Sequence, residues 1–388
     1  MIIDPADRLK TVKEYYFSKK LKEIARMRAE GKPVLNLGIG SPDRPPSEEV
    51  IQTLQREAEK DHAHGYKGYV GLPELRNAFS GWYKRYYNVI LDPDKEILPL
   101  IGSKEGILYI SMAFLNPVDG VLIPDPGYPT YQAVSQLMQA DILTYDLDEQ
   151  NHWSPELEKL EQRDLSNVKL MWVNYPNMPT GTKADPAFFE KLVSFAKRHD
   201  ILICNDNPYS FILNKNPQSL LATPGAKDVT VELNSLSKSH NMAGWRVGMA
   251  ASNPDFIKYI LRIKSNMDSG MFRPVQEAAA KALTLEKEWY EDVNKVYRQR
   301  KELVLEILKT LDCTWQEDQT GMFIWARIPE KYSSGKELSD KILYEANVFI
   351  TPGFIFGSQG NKFIRISLCT PEEKLNESLN RIKNTITN

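Results

Sequence analysis

The sequence predicts an α/β protein: a large domain with a mainly parallel sheet between helices, joined to a smaller α+β domain. Two observations carry that expectation. Between about residue 95 and residue 252, short apolar runs alternate with longer amphipathic stretches, and strand–helix–strand repetition builds parallel sheets. Those runs are also mostly continuous rather than alternating, as in strands buried on both faces.

In chain order, residues 1–45 hold a charged helical pattern from Asp7 to Ala29, then Gly31-Lys32-Pro33 and the short run Val34 to Ile39. This stretch is expected to be an N-terminal arm contributing to the smaller domain. The large domain is expected over 46–275. Its strands are predicted at Val121 to Ile123, Leu170 to Val173, Ile201 to Cys204, Val229 to Leu233 and Val247 to Ala250, with helices at Tyr131 to Met138 and Pro186 to His199. Strand order is not readable from this pattern. The smaller domain, 276–388, opens on one long amphipathic helix from about Val275 to Leu311. Strands are expected at Gly321 to Ile328 and Lys362 to Leu368, and a final helix at Glu372 to Thr385.

The 388 residues are 42% hydrophobic and 26% charged, enough to bury a large core. With 49 basic against 51 acidic residues the net charge is −2, which argues against a nucleic-acid partner. No apolar run approaches about 18 residues, so no membrane span is expected. The opening Met1-Ile2-Ile3-Asp4-Pro5 lacks a signal-peptide layout. Cys204, Cys313 and Cys369 are dispersed and odd in number, so a disulfide framework is not expected and the cytoplasm is the expected compartment. His62 and His64 are close together but no third ligand completes a set, so no metal site is expected.

Ligands bind beyond the carboxyl ends of strands in open α/β sheets, and four punctuated segments fall there. Gly102-Ser103-Lys104 precedes a helical run, where free N–H groups suit a phosphate. Asn205-Asp206-Asn207-Pro208-Tyr209 puts a carboxylate at a strand end and a phenol three residues on. Ser235-Leu236-Ser237-Lys238 offers a lysine among hydroxyls, with Arg246 eight residues later able to clamp a phosphate. Asn174-Tyr175-Pro176-Asn177-Met178-Pro179-Thr180-Gly181 forms a rigid turn. Each segment read alone has a plain explanation as a cap, a turn or a solvated charge.

Their order and spacing say more. Asp206-x-x-Tyr209, Ser235-x-x-Lys238, Arg246 and Arg365 together resemble the fold-type I pyridoxal-phosphate-dependent aminotransferases of the class I/II family. The resemblance runs from Asn36-Leu37-Gly38-Ile39-Gly40 to Arg365-Ile366-Ser367. It implies that Lys238 binds pyridoxal 5′-phosphate covalently and moves the proton from substrate Cα. It implies that Asp206 keeps the ring nitrogen protonated, that Tyr209 donates to the ring oxygen and that Tyr128 stacks on the ring. Gly102, Ser103, Lys104 (through its backbone), Ser235 and Arg246 match the phosphate cradle. Arg365, which read alone is a solvent-facing charge on a strand, matches the grip on the substrate α-carboxylate, with the backbone around Gly40 closing over it. Tyr66 matches a tyrosine reaching the neighbouring subunit's cofactor, which implies a homodimer with shared sites.

One position departs. Met178 stands where the family usually has an asparagine donating to the ring oxygen, and a thioether cannot donate. Tuning of the cofactor rather than inactivity is expected, with Asn174 or Asn177 as candidate replacements. The implied reaction is ping-pong transfer of an amino group from an L-amino acid to a 2-oxo acid. The rivals are a carbon–sulfur β-lyase on the same scaffold and, remotely, a non-catalytic sensor. The Gly102–Ile107 and Ser269–Pro274 stretches look similar to the aspartate/alanine and LL-diaminopimelate aminotransferase branches alike. Arg273 is open between binding a distal carboxylate and a salt bridge.

Overall fold

The computed structural model describes residues 3–12, 14, 16–183 and 185–386. Its centre is a seven-stranded sheet. From edge to edge the strands are Ile97–Leu100, Gly248–Ala251, Thr230–Ser235, Leu202–Asp206, Val168–Val173, Gly120–Asp125 and Asp141–Asp146. Gly248–Ala251 runs antiparallel to both neighbours, and all other pairings are parallel. The five predicted strands are all present. Ile97–Leu100 and Asp141–Asp146 escaped prediction. The first contains Pro99 and the second, Asp141-Ile142-Leu143-Thr144-Tyr145-Asp146, is a half-exposed edge strand, so neither reads as a continuous apolar run.

Both sheet faces are covered. Along Val168–Val173, Leu170 and Trp172 pack into one apolar cluster with Ile107 and Ile110 of the helix Ser103–Phe114. Met171 and Val173 pack into another with Phe189 and Leu192 of the helix Pro186–His199. Each such fully buried side chain contributes about 1.5–3 kcal/mol. The Pro186–His199 helix is bounded by its own sequence. Asp185 caps it by accepting from the Phe188 N–H at 2.7 Å, Pro186 occupies its first turn, and Asp200 ends it with φ of 53°.

A second sheet is antiparallel, in the order Thr351–Pro352, Phe363–Ser367, Phe323–Arg327, Thr314–Trp315. Beside it Leu35–Asn36 pairs in parallel with Val348–Phe349, which ties the early chain to the late chain. Two expected helices are broken. The Val275–Leu311 pattern is two helices, Arg273–Ala282 and Lys287–Thr310. The apolar pair Leu283 and Leu285 is buried in the bend between them, so apolar periodicity continues while the axis does not. The Asp7–Ala29 pattern yields a short 3₁₀ turn, Asp7–Lys10, and a helix, Tyr16–Ala29, while Lys13 and Tyr15 lie outside the described residues. No helix among the described residues is long and apolar enough to cross a membrane.

Candidate active site

A cavity of about 420 Å³ lies where the strand ends Leu100, Val173, Asp206 and Ser235 meet the second sheet. It is lined by Gly40, Ser103, Lys104, Tyr128, Asp206, Tyr209, Ser235, Lys238, Arg246 and Arg365, all of them singled out from sequence. Gly102 adjoins it. Tyr66 does not line it and stands 91% exposed on the surface.

Asp206 is the last residue of its strand and is buried. Its Oδ2 accepts from the Tyr131 hydroxyl at 3.1 Å, while Oδ1 is buried with no hydrogen-bond partner. Burial pushes its pKa up to about 7, against the Tyr131 hydrogen bond and the Lys238 charge. Lys238 sits in the single helical turn Leu236–Ser239 that follows the strand Thr230–Ser235. Ser235 caps that turn, its Oγ accepting from the Ser237 N–H at 3.2 Å. Lys238 Nζ donates to the Gly40 carbonyl at 2.5 Å. Burial, followed by the Arg365 and Arg246 charges, depresses the lysine's pKa, while Cys369 and Asp206 oppose. A lowered pKa makes the free amine of a lysine easier to reach.

The anion cradle is built from backbone. Gly102, at φ of 85°, caps the helix Ser103–Phe114, whose first N–H groups have no partner within the helix. A Cβ on Gly102 would lie 2.1 Å from Arg246 Nη2, so only glycine lets the guanidinium approach. Arg246 is held by Nη1 donating to the Ala243 carbonyl at 2.8 Å. Tyr128 precedes the helix Pro129–Leu137 and meets Tyr131 edge-on, centroids 5.6 Å apart. Burial raises the pKa of the Tyr209 hydroxyl, and the Arg365 charge opposes it.

Arg365 corrects its reading as a solvent-facing charge, because it is 4% exposed. Its guanidinium lies 3.8 Å from the Phe323 ring centroid and 4.6 Å from that of Phe356. Nη2 donates to the Gly38 carbonyl at 3.0 Å, and Nη1 points at Met178 Sδ at 3.2 Å. Met178 lines the cavity, as does Asn174. The Asn174 amide nitrogen donates to the Asp206 main-chain carbonyl and its oxygen accepts from the Met178 N–H at 2.7 Å. Asn177 does not replace the missing donor: it lies outside the cavity lining, its oxygen bonded to the Thr180 hydroxyl at 2.8 Å. Arg273 is likewise outside, paired with Glu277 at 2.8 Å.

Tyr131, Phe323 and Phe356 were not singled out from sequence. Tyr131 carried a usable signal, since it stands three residues after Tyr128 at helical spacing. Phe323 and Phe356 carried none, because the pairing of Phe323–Arg327 with Phe363–Ser367 brings Phe323 to Arg365 and the separate turn Gly353–Phe356 brings Phe356.

A sequence profile described as aminotransferase class I and II matches residues 32–382. The chain belongs to that family. This aminotransferase is 39% identical over 381 residues to an LL-diaminopimelate aminotransferase of Aquifex aeolicus, with 98% of each chain covered. It is 40% identical to the same-named enzyme of Oleidesulfovibrio alaskensis, covering 97% of this chain and 98% of that one. Among solved structures, substrate-bound BacF of Bacillus subtilis superposes with a TM-score of 0.93 at 35% identity, over 99% of this chain and 98% of that one. An aspartate aminotransferase variant of Thermus thermophilus, 23% identical, shares the fold with a TM-score of 0.91 over 99% of this chain and all of that one. The aminotransferase therefore has the α/β, mainly parallel architecture of fold-type I, and transfers an amino group from an amino acid to a 2-oxo acid.

Proposed function

We propose that this aminotransferase works with pyridoxal 5′-phosphate bound at Lys238, in a ping-pong cycle. The observation that carries this reading is the buried Asp206 Oδ1, with no hydrogen-bond partner, in the same cavity as a lysine of lowered pKa. A buried carboxylate oxygen without a donor is costly, and a cationic ring N–H is a donor that satisfies it. When bound, the cofactor supplies an electron-poor ring that draws charge from the substrate Cα. The bare Gly102 and the helix start at Ser103 and Lys104 suit its phosphate, with Ser235 and Arg246 completing the cradle.

The protein's own groups divide the work. Asp206 holds the ring nitrogen's proton. Lys238 Nζ, as a free amine, takes the proton from substrate Cα and returns it. Tyr209 donates to the ring oxygen and Tyr128 covers the ring. Arg365 grips the α-carboxylate in place of its Gly38 carbonyl and Met178 sulfur partners. Replacing Arg365 by lysine removes the planar fork, and the amino-acid KM is expected to rise about 10- to 100-fold with a smaller fall in kcat. Steady-state kinetics check this.

Two further parts of the reading concern assembly. We place the division of the chain near residue 275, with the arm joining the second unit, supported by the pairing of Leu35–Asn36 with Val348–Phe349. We also infer a homodimer in which Tyr66 serves the partner's site. Its 91% exposure, with Phe272 of a neighbouring loop also exposed, supports that.

The deciding experiment loads the protein with the cofactor, reduces it with borohydride and maps the modified peptide, which is expected to contain Lys238. Amino acids are then supplied without an acceptor, LL-diaminopimelate among them because relatives bear that name. One equivalent of 2-oxo acid per site is the expected yield. Continuous release of pyruvate and ammonia would instead identify a β-lyase.

A further inference from the structure

Four successive carbonyls of the segment Leu37–Gly40 are each bound from outside it. Leu37 O accepts from the Ser367 N–H at 2.8 Å and Gly38 O from Arg365 at 3.0 Å. Ile39 O accepts from the Ser367 hydroxyl at 2.7 Å and Gly40 O from Lys238 at 2.5 Å. Gly38, Ile39 and Gly40 all line the cavity, so this segment is a strap across it. Only glycine lets the strap lie this close to the second sheet. A Cβ on Gly40 would lie 2.2 Å from the Phe323 ring and one on Gly38 2.5 Å from Thr351 Oγ1.

The four bonds are not equivalent. Two come from the groups which, on the function proposed above, must turn to the cofactor and to the substrate carboxylate. The other two come from Ser367, whose hydroxyl is fixed a second time by accepting from the Cys369 N–H at 3.1 Å. Ser367 is fully buried and does not line the cavity.

We infer that Ser367 is a positioning residue, whose hydroxyl holds the strap Leu37–Gly40 over the bound amino acid when Lys238 and Arg365 release it. This rests on the assignment of those two groups to cofactor and carboxylate. In the unloaded protein these four bonds, together with Leu37 N–H donating to Phe349 O at 2.9 Å, hold the strap, and the loss of one is tolerated. In the loaded protein two of the four carbonyl bonds remain beside the Leu37 N–H bond, and the Ser367 hydroxyl is the one that holds Ile39 at the cavity.

The test compares Ser367→Ala with Ser339→Ala. Ser339 also donates a buried hydroxyl to a main-chain carbonyl, Ile350 O at 2.5 Å, but makes no hydrogen bond to the strap. Capture of the cofactor at Lys238 is checked first by borohydride trapping. Ser367→Ala is expected to trap normally and to raise the amino-acid KM about five- to tenfold, the scale of one buried hydrogen bond, with kcat within about twofold. Amide exchange across residues 36–43 is expected to quicken in the loaded protein bound to an α-methyl amino acid, which has no Cα proton to lose. Ser339→Ala is expected to change neither. Equal shifts in both variants, or unchanged KM and exchange in Ser367→Ala, overturn the inference. If wild-type protein is not trapped at Lys238, the functional reading fails beneath it, and this is seen before any substrate is added. Should Ser367→Ala fail to fold, Ser367→Cys keeps the volume, weakens the donor and carries the same comparison.

Discussion

Lys238→Ala is expected to abolish borohydride trapping of the cofactor and to lower kcat for amino transfer about 10⁴-fold or more. Two roles fall together, covalent attachment and proton transfer at Cα, and residues that act as a unit lose nearly everything at once. Added methylamine would restore part of the rate, because a diffusing amine can carry the proton. The cavity walls do not depend on the lysine alone, since Lys238 Nζ makes one hydrogen bond, to Gly40 O, and Ser367 and Arg365 hold the same strap. The variant is therefore expected to fold and to retain cofactor non-covalently in the Arg246 cradle. A variant that traps the cofactor at full yield would place the reactive amine elsewhere.

Asp206→Asn has the second-largest expected effect, a loss of about 10²–10³ in kcat, the size seen when a preorganised electrostatic partner is removed. Its pH signature separates it from a general loss of stability. In the cofactor-free protein, burial sets the Asp206 pKa at about 7, above the ordinary carboxylate range near 3.9. An acid whose pKa is raised by folding binds its proton more tightly when folded. Its contribution is thus full below about pH 4 and is lost as pH rises towards about 7. Melting temperatures of cofactor-free protein across that window should fall less with rising pH in Asp206→Asn than in wild type. In loaded wild type the cationic ring nitrogen pulls the carboxyl pKa down, and this part of the slope should disappear. Identical slopes in wild type and variant would mean that Asp206 is not the buried acid.

The legible parts of the molecule were those written locally. Continuous apolar runs such as Leu170 to Val173 announce a two-sided strand because both faces demand cover. Asp185-Pro186 and Asp200 announce both ends of a helix through capping and backbone geometry. The family motifs are local in the same sense, each lying within a few residues of a strand end. What was hidden depends on contacts distant in sequence. The antiparallel run of Gly248–Ala251 is set by pairing with Ile97–Leu100 and Thr230–Ser235. The aromatic setting of Arg365 is set by register, Trp325 standing opposite it and Phe323 two residues along. The break near Leu283 was hidden because packing bends the chain while its apolar spacing persists. Asn177 illustrates the opposite error, being adjacent to Met178 in sequence yet turned to Thr180.

The reversed strand has a consequence for how the molecule can change. Six strands bring their carboxyl ends towards the cavity, whereas Gly248–Ala251 begins there, with Gly248 opposite Ser235 in register. Ser235, Lys238 and Arg246 therefore belong to one returning stretch of chain, and an inserted residue between Ser235 and Arg246 would shift lysine and arginine out of step with each other. The far edge of the sheet is under no such constraint. Turns such as Asn116–Asp119 enter strands at their amino ends and can lengthen without moving a group in the cavity. Variation in length should accumulate on that edge, leaving the lysine–arginine spacing fixed while the opposite surface is free to diverge.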